Sequence, residues 1–193
     1  MQQLFLDVET KSTFEEVGGY FPEKLGISFV GLYRRENFGE GELLGFFEPE
    51  LPQLFPLLEQ ADLVIGFNLD GFDLPALSGY YGGDLTQIPT LDLLTRIKNQ
   101  AGHRVSLDAV AQASLGKAKV GDGLDAIRYY REGNLQALQK YCWRDVEITR
   151  DLYDYGLRQG YVKFLNKWNR LVTSAVDFTY QPPTRRGVQL SLV

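Results

Sequence analysis

The sequence predicts an α/β fold, a mixed sheet with a helical second half. Three observations lead there. Short apolar and β-branched runs crowd the first 67 residues, and helical spacing dominates after residue 90. Between them, residues 63–67 (Leu-Val-Ile-Gly-Phe) are almost wholly apolar, as a central buried strand would be.

The elements follow in order. Residues 4–10 read as a first strand, interrupted by two acids, Asp7 and Glu9. Residues 12–24, rich in Glu and Gly, read as a loop. Residues 27–33 form a second strand and 43–47 a third, joined through a turn at Gly39 and Gly41 into an antiparallel meander. Leu51, Leu54, Phe55 and Leu58 have helical spacing over 52–61, with Pro52 suited to a first turn. After the 63–67 strand come a helix over 74–81, stopped by Gly82-Gly83, and an extended piece at 88–90. Helices are expected near 91–100 and 106–115. Residues 117–123 read as a loop, and the longest helical pattern runs from about 134 to 156.

At 193 residues the chain is expected to be one domain with a sizeable core. Hydrophobic residues make up 44% and charged residues 23%, the balance of a soluble globular protein. No long apolar run or basic-then-apolar leader indicates a membrane span or signal peptide. A single cysteine, Cys142, excludes an internal disulfide and any multi-cysteine zinc site, which fits a cytoplasmic setting. The net charge of −5 argues against strong non-specific adhesion to a polyanion.

Three groups of residues carry chemistry. Asp7 and Glu9 stand at i and i+2 of a strand and project from one face. Two buried like charges become tolerable with a divalent cation between them; alternatively they point into solvent or pair with Lys11. Asn68, Asp70, Phe72 and Asp73 follow the central strand, and Asp73 opens the next helix, where it could cap that helix instead. Spacing alone does not separate Asp70 from Asp73 as a ligand. Tyr141 and Asp145 share a helix face at i and i+4; the alternative is a half-buried Tyr141 and an Asp145 paired with Arg144 or Arg150.

In this order Asp7-x-Glu9, Asn68-x-x-x-Phe72-Asp73 and Tyr141-x-x-x-Asp145 resemble the three motifs of the tyrosine subclass (DEDDy) of DEDD-superfamily 3′→5′ exonucleases. The stretch from Gly66 to Leu77 is especially similar to the proofreading domain of family B DNA polymerases. Leu91-Asp92, residues 106–111 and Tyr141 to Val146 fit the same pattern, which covers roughly residues 1–155. With no polymerase domain, the chain resembles stand-alone bacterial ribonuclease H-like exonucleases. The resemblance implies a ribonuclease H-like mixed sheet, antiparallel over its first three strands and parallel beyond. It implies Asp7, Glu9, Asp73 and Asp145 as ligands of two Mg²⁺ or Mn²⁺ ions, and it selects Asp73 over Asp70. Such ions, about 3.5–4 Å apart, activate water and stabilise the leaving 3′ oxygen. By the same resemblance Asp7 bridges the ions, Glu9 and Asp145 complete the water-holding site, Asp73 serves the second ion, and Tyr141 orients the water. Asn68, Phe72 and Thr10 are expected to bind substrate. The histidine subclass would carry its histidine where this chain has Lys140, and the only histidine, His103, is assigned no catalytic role.

The expected substrate is the 3′ end of single-stranded DNA, with RNA as the alternative because the 2′-OH contacts cannot be placed. A non-catalytic nucleic-acid or partner-binding module is the reading from a different class. Lys117 and Lys119 are candidate phosphate contacts in the 117–123 loop. The expected domain spans residues 1–177. Residues 178–193 read as an extended tail ending in Gln189-Leu190-Ser191-Leu192-Val193, which resembles the bacterial sliding-clamp-binding peptide. Val193 stands where that peptide usually has an aromatic residue; an edge strand or disordered end is the alternative. A tether of this kind would raise local DNA concentration without a basic surface.

Overall fold

A computed structural model describes residues 1–117 and 123–181. Strand β1 (Gln2–Thr10) is central. It pairs antiparallel with β2 (Ile27–Glu36), which pairs antiparallel with β3 (Gly41–Phe47). On its other side β1 pairs parallel with β4 (Leu63–Gly66), and β4 pairs parallel with β5 (Thr90–Asp92). The order β3-β2-β1-β4-β5 is the mixed sheet the sequence predicts.

Alternation along β1 divides the interior. Leu4, Leu6 and Val8 enter one core cluster, with α1 (Leu51–Gln60) and α2 (Leu74–Ser78). Phe5 enters the other, with α3 (Leu93–Ala101), α4 (Leu107–Leu115) and the long helix α6 (Leu135–Gln159). Asp7 and Glu9 share the parity of Phe5 and therefore face α6. Near Gln3, the Tyr153 hydroxyl accepts from its amide at 3.3 Å; at Asp7, Cys142 is the neighbour. The helix thus descends β1 in the reverse direction. The buried Arg35 beside Gln3 holds Asp154 of α6 through two bonds, at 2.8 and 2.6 Å, so a charged pair ties the upper part of the helix to the sheet.

Two elements go beyond the sequence reading. Residues Gly123–Arg131 form helix α5, buried through Ala126 and Ile127. After α6 the chain turns at Gly160 into a hairpin, β6 (Tyr161–Leu165) and β7 (Leu171–Ala175), packed on α4. Val162 and Phe164 alternate inward on β6 and enter the core, an element for which the sequence reading assigned no strand. Val176 and Phe178 are buried in the same cluster. Residues 189–193 and Lys119 lie outside the described residues. Among the described residues, no helix is long and apolar enough to cross a membrane.

Candidate active site

The β1–β2 ladder shifts register between Glu9 and Thr10, so regular pairing ends where the acids emerge. Asp7 and Glu9 stand beside α6, and together with Cys142 they offer ligand atoms within 4.8 Å of one another. Glu9 is buried and Asp7 half-buried. Lys11 forms an ion pair with Glu48.

Asp73 arrives by a different route. Beyond β4, Asn68 adopts left-handed backbone geometry (φ 72°), and residues Leu69–Asp73 make one turn of π-helix before α2. That wide turn carries Asp73 back under β1, 3% exposed, where its Oδ1 accepts the Val8 N–H at 2.9 Å. Val8 lies between Asp7 and Glu9, so this single bond fixes the third carboxylate to the strand bearing the first two. Burial, then the nearby Asp7 charge, pushes the Asp73 carboxyl well above its ordinary value. Its side chain makes no cap to α2, which removes the capping alternative. Asp70 lies elsewhere: it lines a separate pocket with Leu74, Asp84 and Thr90.

Tyr141 and Asp145 sit one turn apart on α6, both buried, and both line a cavity of about 470 Å³ with Asp7, Glu9 and Thr10. Helix and sheet approach closely at this level because Gly31, opposite Asp7 in the ladder, has no side chain. A Cβ there would stand 2.8 Å from the Cys142 sulfur and 3.1 Å from Val146 Cγ2. The thiol in turn lies 3.4 Å from both the backbone oxygen and Oδ2 of Asp7, to which it donates. Cys142 is a site residue that sequence reasoning missed.

The cavity's outer wall comes from the 11–25 loop, α5 and the π turn, through Phe14, Leu124, Ile127 and Phe72. Phe14 stacks on Tyr20 at 4.5 Å and meets Phe72 edge-on at 6.0 Å. Tyr20 donates to the Gly71 carbonyl at 2.8 Å, and Arg131 of α5 bonds Glu16 at 2.7 Å, so the loop is held from both sides. Thr10 lines the cavity and donates to Ser12 O. Asn68 does not line it; its Oδ1 accepts from Arg104 at 3.2 Å. Asp92, buried at the start of α3, accepts from the Asn68 N–H at 2.9 Å and thereby braces the turn. Lys117 forms an ion pair with Asp151, so this candidate phosphate contact is engaged within the protein.

The donor set can be tested against a metal. Burial, followed by the Asp7 and Glu9 charges, pushes the Cys142 thiol well above its ordinary value, so in the metal-free protein it is a protonated hydrogen-bond donor to Asp7. Carboxylate oxygens remain. Buried oxygen donors of like charge fit hard divalent cations such as Mg²⁺ or Mn²⁺.

The family model of RNase_H_2, the RNase_H superfamily, matches residues 4–156. The chain belongs to the RNase H superfamily. All the acids described above fall within the matched span. Among solved structures, the family B DNA polymerase from the hyperthermophilic archaeon Pyrobaculum calidifontis aligns with a TM-score of 0.62 and 17% identity, covering 81% of this chain and 24% of that one. E. coli exonuclease I in complex with a 5cy-dT13 oligonucleotide aligns with a TM-score of 0.46 and 14% identity, covering 82% of this chain and 41% of that one. The chain thus spans less than half the length of either. No curated protein matches the sequence.

Proposed function

We propose that the protein is a metal-dependent 3′→5′ exonuclease acting on single-stranded nucleic acid, with DNA the favoured polymer. The observation that carries this reading is convergence. Acids from β1, the π turn and α6 gather at one end of the sheet, next to a cavity whose size lies in the range of small-ligand sites. Concentrating buried carboxylates costs stability, as the upward push on Asp73 records, and a structural role alone does not require it.

Asp7, Glu9, Asp73 and Asp145 would hold two Mg²⁺ or Mn²⁺ ions. When bound, such ions lower the pKa of a water and stabilise charge on a leaving oxygen. The protein's own groups do the rest. The Cys142 thiol and the Val8 N–H hold Asp7 and Asp73 in place, which limits reorganisation during the reaction. Tyr141 would orient the attacking water by hydrogen bonding; a phenol's pKa is too high for it to serve as a base at neutral pH. Phe14 and Phe72 give the cavity an aromatic wall against which a terminal base can pack.

Cleavage from the 3′ end, the tyrosine-subclass assignment and bacterial relatives rest on the motif resemblance, and the shared fold of the Pyrobaculum polymerase is consistent with it. A cytoplasmic location and a sliding clamp engaged through residues 189–193 belong to the same proposal. The test is digestion of 5′-labelled single-stranded DNA and RNA of one sequence with Mg²⁺, Mn²⁺ or EDTA, alongside Asp7→Ala protein. A metal-dependent ladder shortening from the 3′ end, absent in the variant, is expected. Intact substrate on both polymers would overturn the reading in favour of a binding module, and faster loss of RNA would make the protein an exoribonuclease.

A further inference from the structure

A second cavity is linked to Asn68 through Arg104, one of its lining residues. It has a volume of about 620 Å³ and forms between the turn joining α3 to α4 and the tip of the β6–β7 hairpin. Its lining includes His103, Arg104, Ser106, Asn166, Lys167 and Trp168. None of the lining residues is acidic, although the chain carries 25 acids against 20 Lys and Arg. Trp168 is 68% exposed, with the Lys167 ammonium 4.5 Å from its ring centroid.

The indole is displayed on a firm support. Asn166 Oδ1 accepts from the backbone N–H groups of Trp168 at 3.0 Å and Arg170 at 3.1 Å, and Asn169 takes the left-handed geometry that closes the turn. Lower in the hairpin, the Ser114 hydroxyl accepts from the Lys163 N–H at 2.8 Å and donates to its carbonyl at 3.1 Å. Val162 and Phe164 are buried in the core. Arg104, in the opposite wall, bonds Asn68, the residue from which the π turn to Asp73 starts.

A cationic groove with an exposed aromatic ring on a fixed turn is what single-stranded nucleic acid requires: charge for the backbone and a π-face for a base, with no need of a particular sequence. We propose that this groove binds the single strand upstream of its 3′-terminal nucleotide, with a base stacked on Trp168 and phosphates held by Arg104 and Lys167. The inference rests on the exonuclease reading for the direction of the strand. It also gives an acidic protein a local cationic surface for a polyanion within its described residues.

The test uses the full chain in EDTA, where the unneutralised acids repel phosphate and any remaining affinity must arise elsewhere. Binding of 5′-fluorescein dT4 and dT12 is measured by anisotropy for wild type, Trp168→Ala, Trp168→Phe and Lys167→Ala. Trp168→Ala is expected to weaken dT12 about 5- to 150-fold, the range that one base stacked on an aromatic ring supplies, and dT4 within the same range, because in EDTA a short strand occupies the groove without its 3′ end among the acids. Trp168→Phe should recover most of that loss. Lys167→Ala should reduce the salt slope of dT12 binding by about 0.7, as loss of one phosphate contact to a single strand does. The protein has two tryptophans. Trp143 is half-buried and donates to Leu44 O at 2.8 Å, so quenching by oligonucleotide should be lost in Trp168→Phe alone. Wild-type affinity for dT12 in Trp168→Ala would overturn the proposal. If no nucleic acid is cleaved but Trp168 is quenched, the groove stands and the exonuclease reading falls. Cleavage without quenching of Trp168 gives the reverse.

Discussion

Substituting alanine for Gly31 tests how α6 delivers Tyr141 and Asp145 to the strand bearing Asp7 and Glu9. The new methyl would lie 2.8 Å from Cys142 Sγ, 3.1 Å from Val146 Cγ2 and 3.4 Å from Trp143 Cδ1. Cβ atoms essentially never approach a heavy atom within 3.0 Å, so the helix must move away from β2 or the sulfur must swing out. Overpacking of this kind costs about 1–3 kcal/mol. The catalytic loss should be larger than the stability loss implies, since a displacement of about 1 Å at reacting groups lowers rate about 100-fold. The assay pairs urea unfolding with single-turnover cleavage of a 5′-labelled oligonucleotide. Adding Cys142→Ala to Gly31→Ala removes the nearest atom and should restore much of the stability. A Gly31→Ala protein as stable and as active as wild type would refute the view that helix and sheet meet here at the limit of close approach.

Further predictions concern individual groups. Asp73→Asn should stabilise the metal-free protein by about 0.5–2 kcal/mol in urea, because it removes a buried charge that Asp7 repels, while lowering activity at least 1000-fold; lower stability would contradict this account of the site. Tyr141→Phe should cost about 10–100-fold in rate and leave the number of bound metal ions unchanged, since the phenol is assigned to water and not to metal. Asp151 should stabilise the fold by about 1 kcal/mol at neutral pH. Burial opposes its ionisation, but bonds from Lys117 and Arg150 outweigh it and hold the carboxyl below its ordinary value. A group depressed in the folded state contributes fully above its unfolded pKa and loses that contribution as pH falls through the folded value. The melting difference between wild type and Asp151→Asn should therefore be constant from pH 7 to 5 and shrink below the ordinary aspartate range. A synthetic peptide of residues 178–193 should bind a bacterial sliding clamp; no binding at high micromolar concentration would remove the tether.

The elements legible in the sequence were those governed by local pattern. The period of two that puts Asp7 and Glu9 on one face, and the i, i+4 relation of Tyr141 and Asp145, need no tertiary information, and both recur in the structure. Choosing Asp73 over Asp70 was different. Both flank Gly71 and Phe72, and only the π turn decides which carboxyl passes beneath β1; here motif resemblance pointed to the residue that spacing could not select. Cys142 and Gly31 were illegible because their significance lies in the docking of a helix on a strand more than 100 residues away. Helix α5 was passed over although its residues carry a helical pattern, with Ala126 and Ile127 buried and Leu124 lining the cavity. The β6–β7 hairpin did carry a signal, the inward alternation of Val162 and Phe164, but the run is only five residues long and was assigned no element. The partnership of Arg104 with Asn68 depends on two turns meeting, which no local pattern records.

The central claim is that acids from three separate segments form one divalent-metal site. Its most direct test is the number of Mn²⁺ ions bound per chain, counted by electron paramagnetic resonance titration of the free ion. Two ions are expected for wild type, fewer for Asp145→Ala, and none of comparable affinity for Asp7→Ala. A wild-type protein that binds no Mn²⁺, or one whose count is unchanged by both substitutions, would contradict the claim.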